Sequence, residues 1–160
     1  MTAAAPKPSP LPTVDLCLDS SVICTLILQE RGWQAIHRTL GHPTVNACLP
    51  GPALTESIAV VRRRGNQSSP AQLYDALIAL GLRVEHPVDG DLVRAAELIE
   101  ISERNPGPPP AYSDRETTLS LGDSMILAIT ERLGYKVLTR DTYWKWMVDE
   151  DLIQVDVVVP

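Results

Sequence analysis

The sequence has few histidines and cysteines, no excess of positive charge and no long apolar run. Its 3 histidines, His37, His42 and His86, lie in helix or loop contexts with no carboxylate or serine at an informative spacing, so they read as surface residues. The 3 cysteines, Cys17, Cys24 and Cys48, form no C-x-x-C pair and have no histidine at ligand spacing, which leaves a zinc site without support. Thiols in apolar contexts fit a reducing cytosol, and the chain is expected to be cytoplasmic. A net charge of −6 and a pI near 5.0 argue against a broad basic surface for nucleic acid. That balance leaves room for a small basic rim or a contact through a metal ion. No apolar run reaches the roughly 18 residues of a membrane span, so no membrane association is expected. The first residues, MTAAAPKPSPLP, lack the apolar core of a secretory signal. Their proline and alanine content predicts a disordered tail over residues 1–13.

What is present is one ordinary core. With 160 residues and 44% apolar composition, residues 14–160 are expected to form a single domain. Short apolar strands are predicted at 14–18 (VDLCL), 45–49 (VNACL), 82–86 (LRVEH), 136–139 (KVLT) and 153–159 (IQVDVVV). Helices are predicted over 20–30, 33–40, 52–64, 69–81, 89–105 and 120–134, with Pro52 in a first turn and Gly134 as a stop. The proline-dense stretch 105–114 reads as a loop. No repeat or heptad is present. Strands alternating with helices predict an α/β fold whose central sheet is mostly parallel and covered by helices on both faces. Ligands of such sheets bind beyond the carboxyl ends of the strands, near the point where strand order reverses.

Two carboxylates fall at such ends. Asp19 follows the strand VDLCL, and Asp141 lies two residues beyond VLT in KVLTRDTYW. Two more interrupt apolar helical stripes. Glu56 has Pro52, Ala53, Ala59 and Val60 as its helical neighbours, and Asp123 has Leu119, Ser120, Ile126 and Leu127. Each has a plainer reading. Asp19 can N-cap the next helix, Asp123 can belong to an S-x-x-D capping box, Glu56 can pair with Arg62, Arg63 or Arg64, and Asp141 can start a short turn. Together they have a stronger one, since four inward carboxylates at one edge would converge. Two carboxylates about 5 Å apart repel by roughly 3 kcal/mol at an effective dielectric near 20. Such a cluster requires raised pKa values or a divalent cation, and hard oxygen ligands without histidine or cysteine select Mg²⁺ or Mn²⁺.

The segments LCLDSSVICTLILQE, ALTESIAVVRRRG, LSLGDSMILAITERLG and KVLTRDTYW, in that order, resemble the PIN-domain family, and within it VapC-type toxins of bacterial toxin–antitoxin pairs. The likeness covers about residues 14–159. It implies an α/β/α sandwich and a Mg²⁺- or Mn²⁺-dependent endoribonuclease that cuts RNA such as tRNA or rRNA with a metal-bound water. It also implies a cognate VapB-type antitoxin and a homodimer. Residue by residue, it makes Asp19, Glu56, Asp123 and Asp141 the four catalytic acids. Asp19 and Asp123 would be the main metal ligands, Asp141 would help directly or through water, and Glu56 would orient or deprotonate the attacking water. Ser20 and Thr139 would hydrogen-bond the waters around the metal, although both hydroxyls can equally satisfy backbone groups. The tail before residue 14 and the long proline-rich loop depart from the family's pattern.

Other readings of the same fold lack their residues. A phosphohydrolase would carry a second acid two residues after Asp19, where Ser21 stands, and a receiver-type switch would carry adjacent acids near the first strand. The alternative is a PIN-like module without catalysis that only binds RNA or protein. Arg62, Arg63 and Arg64 close a helix, where cations suit its dipole, and are candidates for RNA phosphate contact. Trp33, Trp144 and Trp146 read as packing residues before base-stacking ones.

Overall fold

The computed structural model describes residues 13–109 and 116–160, and within them five strands alternate with seven helices. In chain order these are β1 (Val14–Leu18), α1 (Ser20–Ile27), α2 (Trp33–Leu40), β2 (Val45–Pro50), α3 (Gly51–Arg63), α4 (Pro70–Ala79) and β3 (Arg83–Glu85). There follow α5 (Asp89–Arg104), α6 (Leu121–Leu133), β4 (Lys136–Leu138), α7 (Thr142–Asp149) and β5 (Asp156–Val158). Strand order is β3-β2-β1-β4-β5, and every neighbouring pair is parallel. The chain lays β2 and β3 on one side of β1, then returns to lay β4 and β5 on the other. The order therefore reverses between β1 and β4, and Leu18 pairs with Leu138 at that seam. Helices flank the sheet, giving the α/β/α architecture.

Local sequence explains most boundaries. Ser69 caps α4 in a reciprocal box with Gln72, and Pro70 sits in its first turn, where a missing N–H costs nothing. Ser120 caps α6 in the same way with Asp123, and Gly134 ends that helix in the left-handed region at φ 65°. Leu16, Cys17 and Leu18 of β1 are buried beneath helices on both faces, so their run is continuously apolar instead of alternating.

The structure corrects several expectations. Helix α1 stops at Ile27, three residues early, because the chain turns at Gln29 with φ 52°. Strands β3 and β5 are shorter than predicted at both ends. Helix α7 is absent from the expected elements, which offer only a short turn starting at Asp141. Its eight residues include Tyr143, Trp144 and Trp146, aromatics of modest helix propensity, and its stability comes from burying Tyr143, Trp144 and Met147 in the core. The expected tail 1–13 lies, apart from Thr13, outside the described residues. The loop 105–114 is described only to Pro109. There Gly107 forms an isolated antiparallel bridge with Thr117. A Cβ on Gly107 would lie 2.5 Å from the Tyr143 ring, so only glycine permits this close approach to α7.

Candidate active site

At the seam between β1 and β4, Asp19 is 3% exposed and held from several sides. Its backbone N–H donates to the Leu138 carbonyl at 3.0 Å, which ties the two strand ends together. Its carboxylate accepts from the Ser20 N–H at 2.6 Å, the Ser21 hydroxyl at 2.5 Å and the Thr139 hydroxyl at 2.8 Å. Thr139 is fully buried, and its hydroxyl oxygen also accepts from the Asp141 N–H at 3.0 Å. One side chain thus fixes Asp19 and positions Asp141. Asp19 does cap α1, as the plain reading held, but capping leaves its other contacts unexplained.

Of the two serines after Asp19, Ser21 rather than Ser20 holds its carboxylate through a hydroxyl. The Ser20 hydroxyl reaches Asp19 only at 3.4 Å and serves mainly through its N–H. Ser21 makes the shorter hydroxyl bond, and its oxygen also accepts from the Arg140 N–H at 3.0 Å. Ser21 went unassigned because a hydroxyl three residues past a strand end carries no spacing signal. The S-S doublet after Asp19 was the available hint. Arg140, likewise unassigned, donates from its guanidinium to Thr25 Oγ1 at 2.8 Å and lies 3.5 Å from Glu30.

Asp123 and Asp141 complete the acidic group. Burial pushes the Asp123 carboxyl up to about 6, and the charges of Asp19 and Asp141 push the same way, against hydrogen bonds from Ser120. The Asp141 carboxyl is also raised, mainly by burial and further by Asp19, against the Tyr143 N–H. Three acids from β1, α6 and the β4–α7 turn therefore share one field. Both carry local structure as well: Asp123 closes the Ser120 capping box and Asp141 caps α7.

Glu56 is placed differently from the expectation. It is exposed, as is Ala59, although Ala53 one turn earlier is buried in the core. Pro52 and Ala59 line a cleft of about 780 Å³ between α3 and the start of α6, bordered also by Glu56, Leu54, Gly122 and Met125. Glu56 Oε2 lies 3.4 Å from where a Cβ on Gly122 would stand, one residue from Asp123. Among the described residues none of Arg62, Arg63 and Arg64 pairs with it, and Arg64 pairs with Glu30.

The donor set fits a hard divalent ion. Asp123 Oδ1 and Asp141 Oδ2 accept no hydrogen bond among the described residues, and both groups are crowded by like charge. No group of three histidine, cysteine, aspartate or glutamate side chains among the described residues is spaced to enclose a metal by itself. Two carboxylates with the remaining positions left to water is the arrangement Mg²⁺ favours and one that Zn²⁺ does not require. The cysteines offer no competing site: all 3 are free and buried, with Cys17 and Cys48 in sulfur contact at 3.4 Å across β1 and β2.

A buried aspartate at the switch point of a parallel sheet, crowded by further acids at the same edge, marks an α/β domain with an oxygen-rich edge suited to a hard cation. The family model of the PIN domain matches residues 16–147, and this chain belongs to that family. PIN domains are generally nucleases and generally use divalent metal ions. Among solved structures, VapBC2 from Rickettsia felis, bound to a promoter DNA fragment, is similar over 91% of this chain and 98% of that one, with TM-score 0.65 and 9% identity. VapC20 from Mycobacterium tuberculosis, a toxin that cleaves the sarcin–ricin loop, is similar over 82% and 93%, with TM-score 0.60 and 16% identity. VapBC-1 from nontypeable Haemophilus influenzae matches over 91% and 98%, with TM-score 0.61 and 12% identity. At such identities these likenesses establish a VapC-like fold. No curated protein matches the sequence.

Proposed function

We propose that this chain is a Mg²⁺-dependent endoribonuclease, able to use Mn²⁺, and the toxic member of a type II toxin–antitoxin pair acting in the cytoplasm. The observation that carries this reading is the buried Asp19, fixed by Ser21 and Thr139 and near enough to Asp123 and Asp141 that its charge raises the proton affinity of both. Asp19 and Asp123 would hold the ion, with Asp141 assisting. The ion would supply charge neutralisation at the phosphodiester and Lewis-acid activation of water. Thr139 and Ser21 keep Asp19 oriented, so that its charge does not have to reorganise during the reaction. Glu56, exposed on the cleft wall beside Gly122, orients the attacking water and takes its proton as the phosphorus–oxygen bond breaks. The substrate class is RNA, with tRNA or rRNA the expected targets.

A VapB-type antitoxin is the proposed partner, and the VapBC and other toxin–antitoxin complexes among the similar folds support it. An acidic cluster on a chain of net charge −6 suits an inhibitor that presents a basic side chain. A homodimer is proposed as well, and exposed Leu92, Val93 and Leu121 on the packed pair α5 and α6 offer apolar surface for it. Incubating the purified chain with total RNA, with and without Mg²⁺, tests the chemistry. Discrete fragments that require Mg²⁺ and vanish in Asp19→Asn are expected. Intact RNA with retained RNA binding would leave the alternative, a PIN-like module that binds without cutting.

A further inference from the structure

Beside the acidic cluster, bordered by Asp141 and not by Glu56, lies a second cavity of about 670 Å³. Its walls join two kinds of surface. Ser21, Arg140 and Asp141 come from the β1–β4 edge described above, while Tyr143, Trp146 and Pro108 come from α7 and the loop docked on it. Tyr143 and Trp146 are stacked, with ring centroids 5.5 Å apart and planes at 17°. Tyr143 is buried, fixed through its hydroxyl to Ser102 at 3.1 Å and the Asn105 carbonyl at 3.2 Å. Trp146 is only partly buried and borders the cavity. A rigid ring stack thus ends in an accessible indole, one helical turn from a proposed catalytic acid.

We propose that this cavity holds the nucleotide next to the scissile phosphate, its base stacked on Trp146 and its phosphate met by Arg140. The inference rests on the nuclease reading for its substrate class and adds where the strand runs and which residues grip it. Base stacking on an aromatic ring needs a rigid, exposed π-face, and the Tyr143 anchor supplies the rigidity. A phosphate needs a cation where the net charge is otherwise unfavourable. Arg140 lines the cavity with its side chain 41% exposed, and its guanidinium is steadied by Thr25 Oγ1 at 2.8 Å and Glu30 at 3.5 Å, so a phosphate would take up donors that these two oxygens leave open. Packing alone accounts for Trp144, which is fully buried, but leaves the exposed part of Trp146 beside Asp141 without a role.

The test uses the full chain and the ribohexamers A6 and U6. In EDTA, where cleavage does not proceed, the indole N–H resonances of Trp33, Trp144 and Trp146 are followed as hexamer is added, with Trp146→Leu assigning its peak. The Trp146 resonance should shift on titration while that of Trp144 stays. In single-turnover cleavage with Mg²⁺, Trp146→Leu and Arg140→Gln should each raise the half-saturating RNA concentration by about tenfold, with the saturated rate changed less than about twofold. Arg140→Gln should also flatten the salt dependence of binding. An unmoved Trp146 resonance, or a Trp146→Leu chain that melts earlier yet keeps its half-saturation point, overturns the subsite and makes the ring stack a packing element. If the wild-type chain cleaves nothing but the Trp146 resonance shifts, the subsite stands and the nuclease reading fails.

Discussion

The two walls of the site are built on opposite plans. Asp19 is buried and held by backbone and hydroxyl donors from α1 and the turn after β4. Glu56 is exposed on α3 and has no hydrogen bond or ion pair among the described residues. The buried wall has its charge oriented in advance, at a desolvation cost that the surrounding donors offset. The open wall leaves its carboxylate exposed to solvent. Binding a cation and handling a proton, the roles proposed for the two residues, place different demands on a carboxylate, and the two stand at different depths.

Breaking the buried wall should have the largest effect. Asp19→Asn is expected to lower RNA cleavage by roughly 1,000-fold and to abolish the rise in melting temperature expected of the wild-type chain in millimolar Mn²⁺, by mass action on the folded state. Thermal melts with and without Mn²⁺ read the second effect, and a preserved Mn²⁺ shift would remove Asp19 from the ion's ligands. Glu56→Gln on the open wall should cost about 100-fold in cleavage, as expected for a lost general base. Its melting temperature should stay within the small range of surface substitutions. A destabilised but fully active Glu56→Gln chain would show that the residue anchors structure instead.

Thr139→Val separates positioning from charge. Removing the hydroxyl leaves Asp19 and the Asp141 N–H each short of a partner, which should cost about 1–3 kcal/mol by denaturant titration. Cleavage should fall by about 10- to 100-fold, with Mn²⁺ affinity weakened alongside it. Thr139→Ser should recover most of both, and failure of that rescue would count against the hydroxyl. The smallest effect concerns protons. Asp123 titrates near 6 when folded and near 4 when unfolded, so the metal-free native state keeps this proton longer. Its contribution is fully favourable below about pH 4, declines as pH rises from about 4 to 6, and is constant above. The window amounts to something on the order of 2 kcal/mol. The difference in stability between wild type and Asp123→Asn, measured across that window in EDTA, should show the slope. Mn²⁺ affinity should rise through the same range as the carboxylate becomes available. A flat difference would mean that Asp123 is not crowded in solution.

Much of this architecture was legible from the chain. The β1 run ending on Asp19, the capping box of Ser120 with Asp123 and the stop at Gly134 are short-range signals, decided within a few residues. Helix α7 was not legible, because YWKWM has little helical preference of its own and is held by burying Trp144 and Met147. Glu56 was misplaced for a related reason. Apolar neighbours at helical spacing predict a buried face, but here only Ala53 is buried, while Pro52 and Ala59 line an open cleft that the start of α6 borders.

Local chemistry along the chain therefore determined which residue types stand at the strand ends, the parallel alternation and the four acids themselves. Only the tertiary structure decided that Thr139, 120 residues from Asp19, is the donor that fixes it. It alone made Ser21 rather than Ser20 the closer hydroxyl, and it alone turned Trp146 toward Asp141 while Trp144 went to the core. Hydrogen bonds between distant segments and the direction a side chain takes from a short helix depend on how β4 returns to lie beside β1. No periodicity within either segment encodes that return.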